Sequence, residues 1–132
     1  MPMTHVSMRS GKPAAYRTAV LEGIHETLHT SLGVHTDAFF MTVREHEDAN
    51  FHVNMSFPFA RSSDVLLVQI TLTTGRSADD KQRFYQDLVA RLARNPGVNP
   101  ADVFINLIEV AADNWSPGNG LAGQNPTSAA AA

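Results

Sequence analysis

Apolar positions along the chain change period in a fixed order, and the order occurs twice. From Met3 to Met8 apolar and polar residues alternate, the period-two signature of a strand. Gly11-Lys12-Pro13 ends that run, with proline near a first helical turn, where its missing N–H costs nothing. Val20, Leu21, Ile24, Leu28 and Leu32 then recur at helical spacing and stop at Gly33, a residue suited to the left-handed C′ position. Phe39 to Glu45 returns to strand. In the second set, Val65 to Leu72 is almost continuously apolar, which predicts a strand buried on both faces. Ser77-Ala78-Asp79-Asp80 has capping-box spacing, Phe84, Tyr85, Leu88 and Leu92 form the helical stripe, and Val103 to Val110 forms the closing strand. Between the sets, Phe51 to Phe57 alternates before Pro58 and predicts an extra edge strand or ribbon.

The two sets are copies of one unit. Gly11 and Gly75, Leu28 and Leu92, Gly33 and Gly97, Phe40 and Phe104, and Glu45 and Glu109 all lie 64 residues apart, with no gap needed. Lys12 with Arg76, Arg17 with Lys81 and Val34 with Val98 fill in the register. Strand-helix-strand twice over, with right-handed crossovers, predicts an α+β fold whose two helices share one sheet face. The same element order also fits a ferredoxin-like sheet. One domain over 2–121 is expected, with βαβ units at about 2–46 and 65–110 and a disordered low-complexity tail at 122–132. Two helices leave the other sheet face bare, so an oligomer is expected.

Composition narrows the partners. The 132-residue chain carries a net charge of −3 with its basic residues scattered, which gives no electrostatic footprint for nucleic acid or an anionic membrane. No apolar run approaches a membrane span or a signal peptide, and the absence of Cys fits a reducing compartment, so a cytoplasmic protein is expected. His25 and His29 stand at the i, i+4 spacing of a metal-binding pair, but no third ligand accompanies them; they read as helix histidines, and no metal is expected.

The candidate chemistry begins at Pro2. Removal of Met1 would leave a secondary amine at the start of a strand, and an α-amino group, with an ordinary pKa of roughly 7.7–8.0, is readily tuned into a general base by burial or a nearby cation. If Met1 stays attached, the Pro2 nitrogen is an amide without basicity. Ser62-Ser63 and the other serines lack the turn context of a nucleophile.

Pro2 on the first strand, the tandem duplication, the run Gly75-Arg76-Ser77-Ala78-Asp79-Asp80-Lys81 and the loop Asn114-Trp115-Ser116-Pro117-Gly118-Asn119-Gly120 together resemble the tautomerase superfamily, most closely its malonate semialdehyde decarboxylase-like branch. The Gly-Arg-Ser run is also similar to the cis-3-chloroacrylic acid dehalogenase branch. The resemblance implies a homotrimer, no cofactor, and chemistry on small 2-oxo or 2-hydroxy-alkenoic acids. It implies Pro2 as catalytic amine, Arg76 as the holder of the substrate carboxylate, and Trp115, Asp37 and Thr74 at substrate-binding positions. The chain departs from the branch where Thr74 stands for a second arginine, Thr73 for its counterpart in the dehalogenase pattern, Ala38 for the catalytic aspartate with Asp37 one residue early, and Pro117 for a phenylalanine. These departures favour plain keto-enol tautomerisation, with a decarboxylase or hydratase reaction as the alternative, or a ligand-binding trimer should Met1 be retained.

Overall fold

Strand β1 (Met3–Arg9) buries Thr4, Val6 and Met8 and turns His5, Ser7 and Arg9 to the other side, as its alternation predicts. Helix α1 (Ala14–Leu32) and strand β2 (Met41–His46) complete the first unit; strand β3 (Leu66–Thr73), helix α2 (Ala78–Arg94) and strand β4 (Val103–Val110) form the second. These elements belong to a computed structural model that describes residues 1–123; all but the first two residues of the expected tail lie outside the described residues.

Local signals act where the sequence places them. Ser77 Oγ accepts the Asp80 N–H at 3.1 Å and starts α2. Gly33 ends α1 with φ +68°, its N–H donating to His29 O and the Val34 N–H to Leu28 O, so the left-handed residue turns the chain back onto the carbonyls of the last helical turns. Sixty-four residues on, the Gly97 and Val98 N–H groups both donate to the Leu92 carbonyl, with Gly97 at φ +100°.

The sheet order is β2-β1-β3-β4. Each helix joins two adjacent parallel strands, and β1 meets β3 antiparallel at the centre. Strands joined by a helix are thus direct neighbours, which excludes the ferredoxin-like alternative, where another strand separates them. The central register places His5 opposite Gln69, its own counterpart at the 64-residue offset. A local two-fold axis therefore passes between β1 and β3 and exchanges the two units. Hydrogen bonds obey it: Ser10 N–H to His46 O and Thr74 N–H to Val110 O are both 2.9 Å. The ion pairs Arg17–Glu45 and Lys81–Glu109 tie helix to strand end at equivalent points.

Both helices pack on one face. Val6, Met8, Val68, Ile70 and Leu72 from the sheet meet Val20, Ile24 and Leu28 of α1 and Phe84, Leu88 and Leu92 of α2, all nearly solvent-free. On the other face the expectation of a doubly buried β3 is corrected: Gln69 is exposed and Leu67 and Thr71 only half-buried, because nothing among the described residues covers that side. The expected strand at Phe51–Phe57 is also absent. Asn54 Oδ1 accepts both the N–H and the hydroxyl of Ser56, and the Arg61 N–H closes on Met55 O, so local turn bonds displace ladder pairing. Phe51 alone is anchored there, stacked on His46.

The helices approach closely at Gly23, where an added Cβ would stand 2.8 Å from Leu92 Cδ2. Gly23→Ala should gain about 1 kcal/mol of helix propensity yet lose about 1–3 kcal/mol to overpacking. The expected net destabilisation in urea denaturation should largely disappear in a Leu92→Ala background, a coupling that a double-mutant cycle measures.

Candidate functional site

Antiparallel pairing of β1 and β3 sets the beginning of one strand beside the end of the other. Pro2, buried ahead of β1, therefore lies near the loop after β3 that carries Gly75 and Arg76. Gly75 has φ +131°, a conformation that side chains resist, and its N–H hydrogen bonds to the Glu109 carboxylate. Lys81 lowers the pKa of that carboxyl, mainly through its hydrogen bond, with Arg76 adding to the effect.

A cation at the start of α2 is opposed by that helix's own dipole. The fold supplies the compensation. Arg76 Nη1 donates to Thr73 O at 3.0 Å, and Nη2 lies 3.4 Å from the carbonyl of Leu32, the last residue of α1. The antiparallel helices thus bring the negative end of one to the cation at the positive end of the other. Arg76 Nε is buried with no hydrogen-bond partner, and among the described residues no carboxylate is in salt-bridge contact with this guanidinium.

Thr73 links Arg76 to the aromatic wall. Its carbonyl takes the guanidinium while its hydroxyl accepts the Trp115 indole N–H at 3.0 Å. Trp115, Ser116 and Pro117 close one side of a cavity of ≈180 Å³ whose other walls are Met1, Pro2, Met3 and Phe40. The α-amino group at the chain start is pushed below its ordinary value of 8.0, first by burial and then by the Arg76 charge.

Pro2, Arg76 and Trp115 thus converge. Thr74 is exposed at the start of the same loop, and Asp37 sits on an exposed turn, its N–H bonded to His35 Nδ1, outside the walls of this cavity. A larger, more open and mostly apolar hollow of ≈810 Å³ lies on the far side of Met3 and Phe40, edged by His5, His25 and Phe39. Neither hollow has Lys or Arg in its walls; the smaller one is distinguished by Pro2, which lines it, and by the α-amino group of Met1, which feels the Arg76 charge there. His25 and His29 each hydrogen bond to a backbone carbonyl, of Thr36 and Val34, and no cluster of metal-ligating side chains occurs among the described residues.

The model of a family described as "tautomerase enzyme" matches residues 37–118. The chain belongs to the tautomerase family. Probable tautomerase YusQ of Bacillus subtilis (strain 168) is 27% identical over 123 residues, covering 92% of this chain and 97% of that protein. Malonate semialdehyde decarboxylase, whose structure has been related to decarboxylase and hydratase activities, superposes with a TM-score of 0.86 at 26% identity, covering 97% of this chain and 98% of that one. A fused 4-OT solved as a symmetric trimer shares the fold at a TM-score of 0.75 and 22% identity, covering 91% of this chain and 94% of that one. A tautomerase or a related decarboxylase or hydratase is the class these likenesses support, and no helix among the described residues is long and apolar enough to cross a membrane.

Sequence reasoning missed Thr73 as a support, treating it only as an absent cation. It also stopped the repeat at Glu109. The short helical turns at Asp48–Asn50 and Ala112–Asn114 obey the same offset, and Phe51 corresponds to Trp115. The shared Asn50 and Asn114, each followed by an aromatic residue, carried that signal. Thr73→Val should keep the side chain's shape but orphan the indole N–H. The expected result is a loss of about 1 kcal/mol and a red shift in the emission of the single Trp, read by fluorescence-monitored denaturation.

Proposed function

We propose that the chain catalyses cofactor-independent keto-enol tautomerisation of 2-oxo or 2-hydroxy-alkenoic acids, with Pro2 as the general base once Met1 is removed. One observation carries this reading: the α-amino group of Met1 lies at a small walled cavity, where its own burial first and the Arg76 charge second depress its pKa. Met1 is only half-buried whereas Pro2 is buried, so retracting the amine onto Pro2 strengthens the desolvation that favours the neutral base. That amine takes the proton of the enol hydroxyl and returns it to the adjacent carbon of the C=C as the C=O forms; in the reverse direction it takes the α-carbon proton and delivers it to the carbonyl oxygen. Arg76 grips the substrate carboxylate through its planar fork, and Trp115 packs against the carbon chain.

Malonate semialdehyde decarboxylase-like chemistry is the second reading, favoured by likeness along nearly the whole chain. It asks for more than this site gathers, since Thr74 supplies no second cation and Asp37 lies on an exposed turn. For assembly we infer a homotrimer like the fused 4-OT, with the bare sheet face and its half-exposed Met3, Phe104 and Ile108 turned inward.

Pro2→Ala should lower kcat/KM for phenylenolpyruvate or 2-hydroxymuconate ketonisation by on the order of 10²-fold or more. Unchanged turnover would sink the proposal, as would an intact mass showing Met1 still attached to active protein. Arg76→Ala should weaken kcat/KM by roughly 10–100-fold, mostly through KM, as expected for a lost charge-assisted hydrogen bond.

The pH profile gives an independent check. Activity should rise as the amine deprotonates, with the midpoint of the acidic limb below pH 8.0, the direction in which burial and Arg76 move the α-amino group of Met1. Arg76→Ala removes a charge that disfavours the protonated amine, so the amine pKa rises and the acidic limb moves to higher pH. Arg76→Lys should restore the limb more fully than it restores KM.

A further inference from the structure

The local two-fold that exchanges the units carries Pro2 onto Leu66, Arg76 onto Lys12 and Met1 onto Val65. A second version of the Pro2–Arg76 neighbourhood therefore stands at the opposite end of the central strand pair. A cavity of ≈120 Å³ lies there, with Lys12, Tyr16, Asp64 and Leu66 among its walls. The two ends differ in what precedes the strand. At the second end the chain continues backwards from Val65, and Asp64 Oδ2 lies 3.1 Å from Lys12 Nζ. At the first end Arg76 has no carboxylate in salt-bridge contact among the described residues, and its guanidinium bonds instead to the Thr73 and Leu32 carbonyls.

We propose that this second cavity is a carboxylate site closed by the chain's own Asp64, and that Lys12 holds a small aliphatic carboxylate of acetate size once that side chain is neutralised. The inference rests on reading Arg76 as the holder of a carboxylate in the first cavity.

Several contacts fix Asp64 in place as a tethered ligand. Its N–H donates to Ser62 Oγ at 3.1 Å, and Arg9 Nη1 donates to the Ser63 carbonyl at 2.7 Å. Ser62 in turn donates its N–H and hydroxyl to Asp102, a buried carboxylate. A side chain held this way competes at an effective concentration of the order of mM or higher, enough to exclude a dilute free carboxylate. The lock is still light. Lys12 and Asp64 are 33% and 49% exposed, the setting in which solvent screens an ion pair and leaves it weak. Arg9 does not substitute for Lys12, because it is paired with Asp48 and lies over Phe51. Tyr16 reports on the pair: Lys12 lies 5.0 Å from its ring centroid. Burial chiefly raises the Tyr16 phenol, with Lys12 pulling it down and Asp64 and Asp102 pushing it up.

The test titrates sodium acetate, against sodium chloride at equal ionic strength, into isotope-labelled wild-type chain, Asp64→Asn and Asp64→Asn/Lys12→Met. Asp64→Asn keeps the backbone bond to Ser62, and Asp64→Ala serves as a second opening variant. The Lys12 and Tyr16 amide resonances should shift saturably in the opened variants, with an apparent affinity roughly tenfold or more above wild type, and the double variant should lose the effect. No saturable shift in either opened variant, or equal shifts with and without Lys12, overturns the proposal. The Arg76 amide reports the first cavity in the same spectra. If it fails to respond while Lys12 responds, the Arg76 reading falls and the second site stands; the reverse pattern removes the second site alone.

Discussion

The antiparallel pairing of β1 with β3, with His5 set opposite Gln69, is the constraint on which the rest of the molecule depends. Because each strand faces its own counterpart, the two strand-helix-strand units are exchanged by a two-fold, and every later relation inherits that symmetry. Both helices fall on one face and run antiparallel, so the last carbonyl of α1 meets the first loop of α2. Each strand's beginning lies beside the turn that ends its partner. Thr42 and Asn106 extend the same row outward, His5 Nδ1 bonding to Thr42 Oγ1 at 2.7 Å and Gln69 reaching Asn106 at 3.5 Å.

Such a scaffold offers two equivalent ends, and the chain makes them unequal. At one end a strand begins with Pro2 close to the chain start, next to a guanidinium whose hydrogen bonds run to backbone carbonyls. At the other, the backbone continues into the 62–64 segment, and the corresponding lysine is matched by a carboxylate. The difference between Arg76 and Lys12 follows the same logic. A planar fork can bond two carbonyls and still present an edge to a bidentate anion, whereas an ammonium is a point charge readily satisfied by one neighbour. Electrostatics thereby separates two ends that the backbone leaves alike.

Most of the fold was legible because it was written twice. Gly33 terminates α1 in the left-handed region, Ser77 caps α2, and the stripe Phe84, Leu88, Leu92 is buried as spaced. Each of these is a local rule whose tertiary context agrees with it. The failures were of another kind. Phe51 to Phe57 alternates like a strand, but alternation predicts pairing only where an edge is available and side chains leave the backbone free; Asn54 and Ser56 claimed those bonds locally. Val65 to Leu72 reads as doubly buried because the chain records what covers a strand without recording whether that cover is its own. Within the site, Pro2, Arg76 and Trp115 were legible as types and motifs, while Thr73 was not. Its role comes from a carbonyl and a hydroxyl pointing at two different partners, which no spacing announces.

The number of charges near the cavity bears on which chemistry it suits. Proton transfer between oxygen and carbon asks for one group that can both accept and return a proton, and for a fixed substrate. In the proposed tautomerisation the Pro2 amine would do the first and the single forked cation of Arg76 the second. Decarboxylation or hydration asks in addition for a second polarising charge or an activated water, which requires another ionisable side chain inside the walls. Thr74 stands exposed at the loop where that charge would be, and Asp37 is turned toward His35 in solvent. What limits the site is therefore the number of charges that the loop after β3 delivers. A chain with this scaffold and an additional cation at position 74 would face the Pro2 cavity with a different electrostatic problem, while β1, β3 and their two-fold stayed the same.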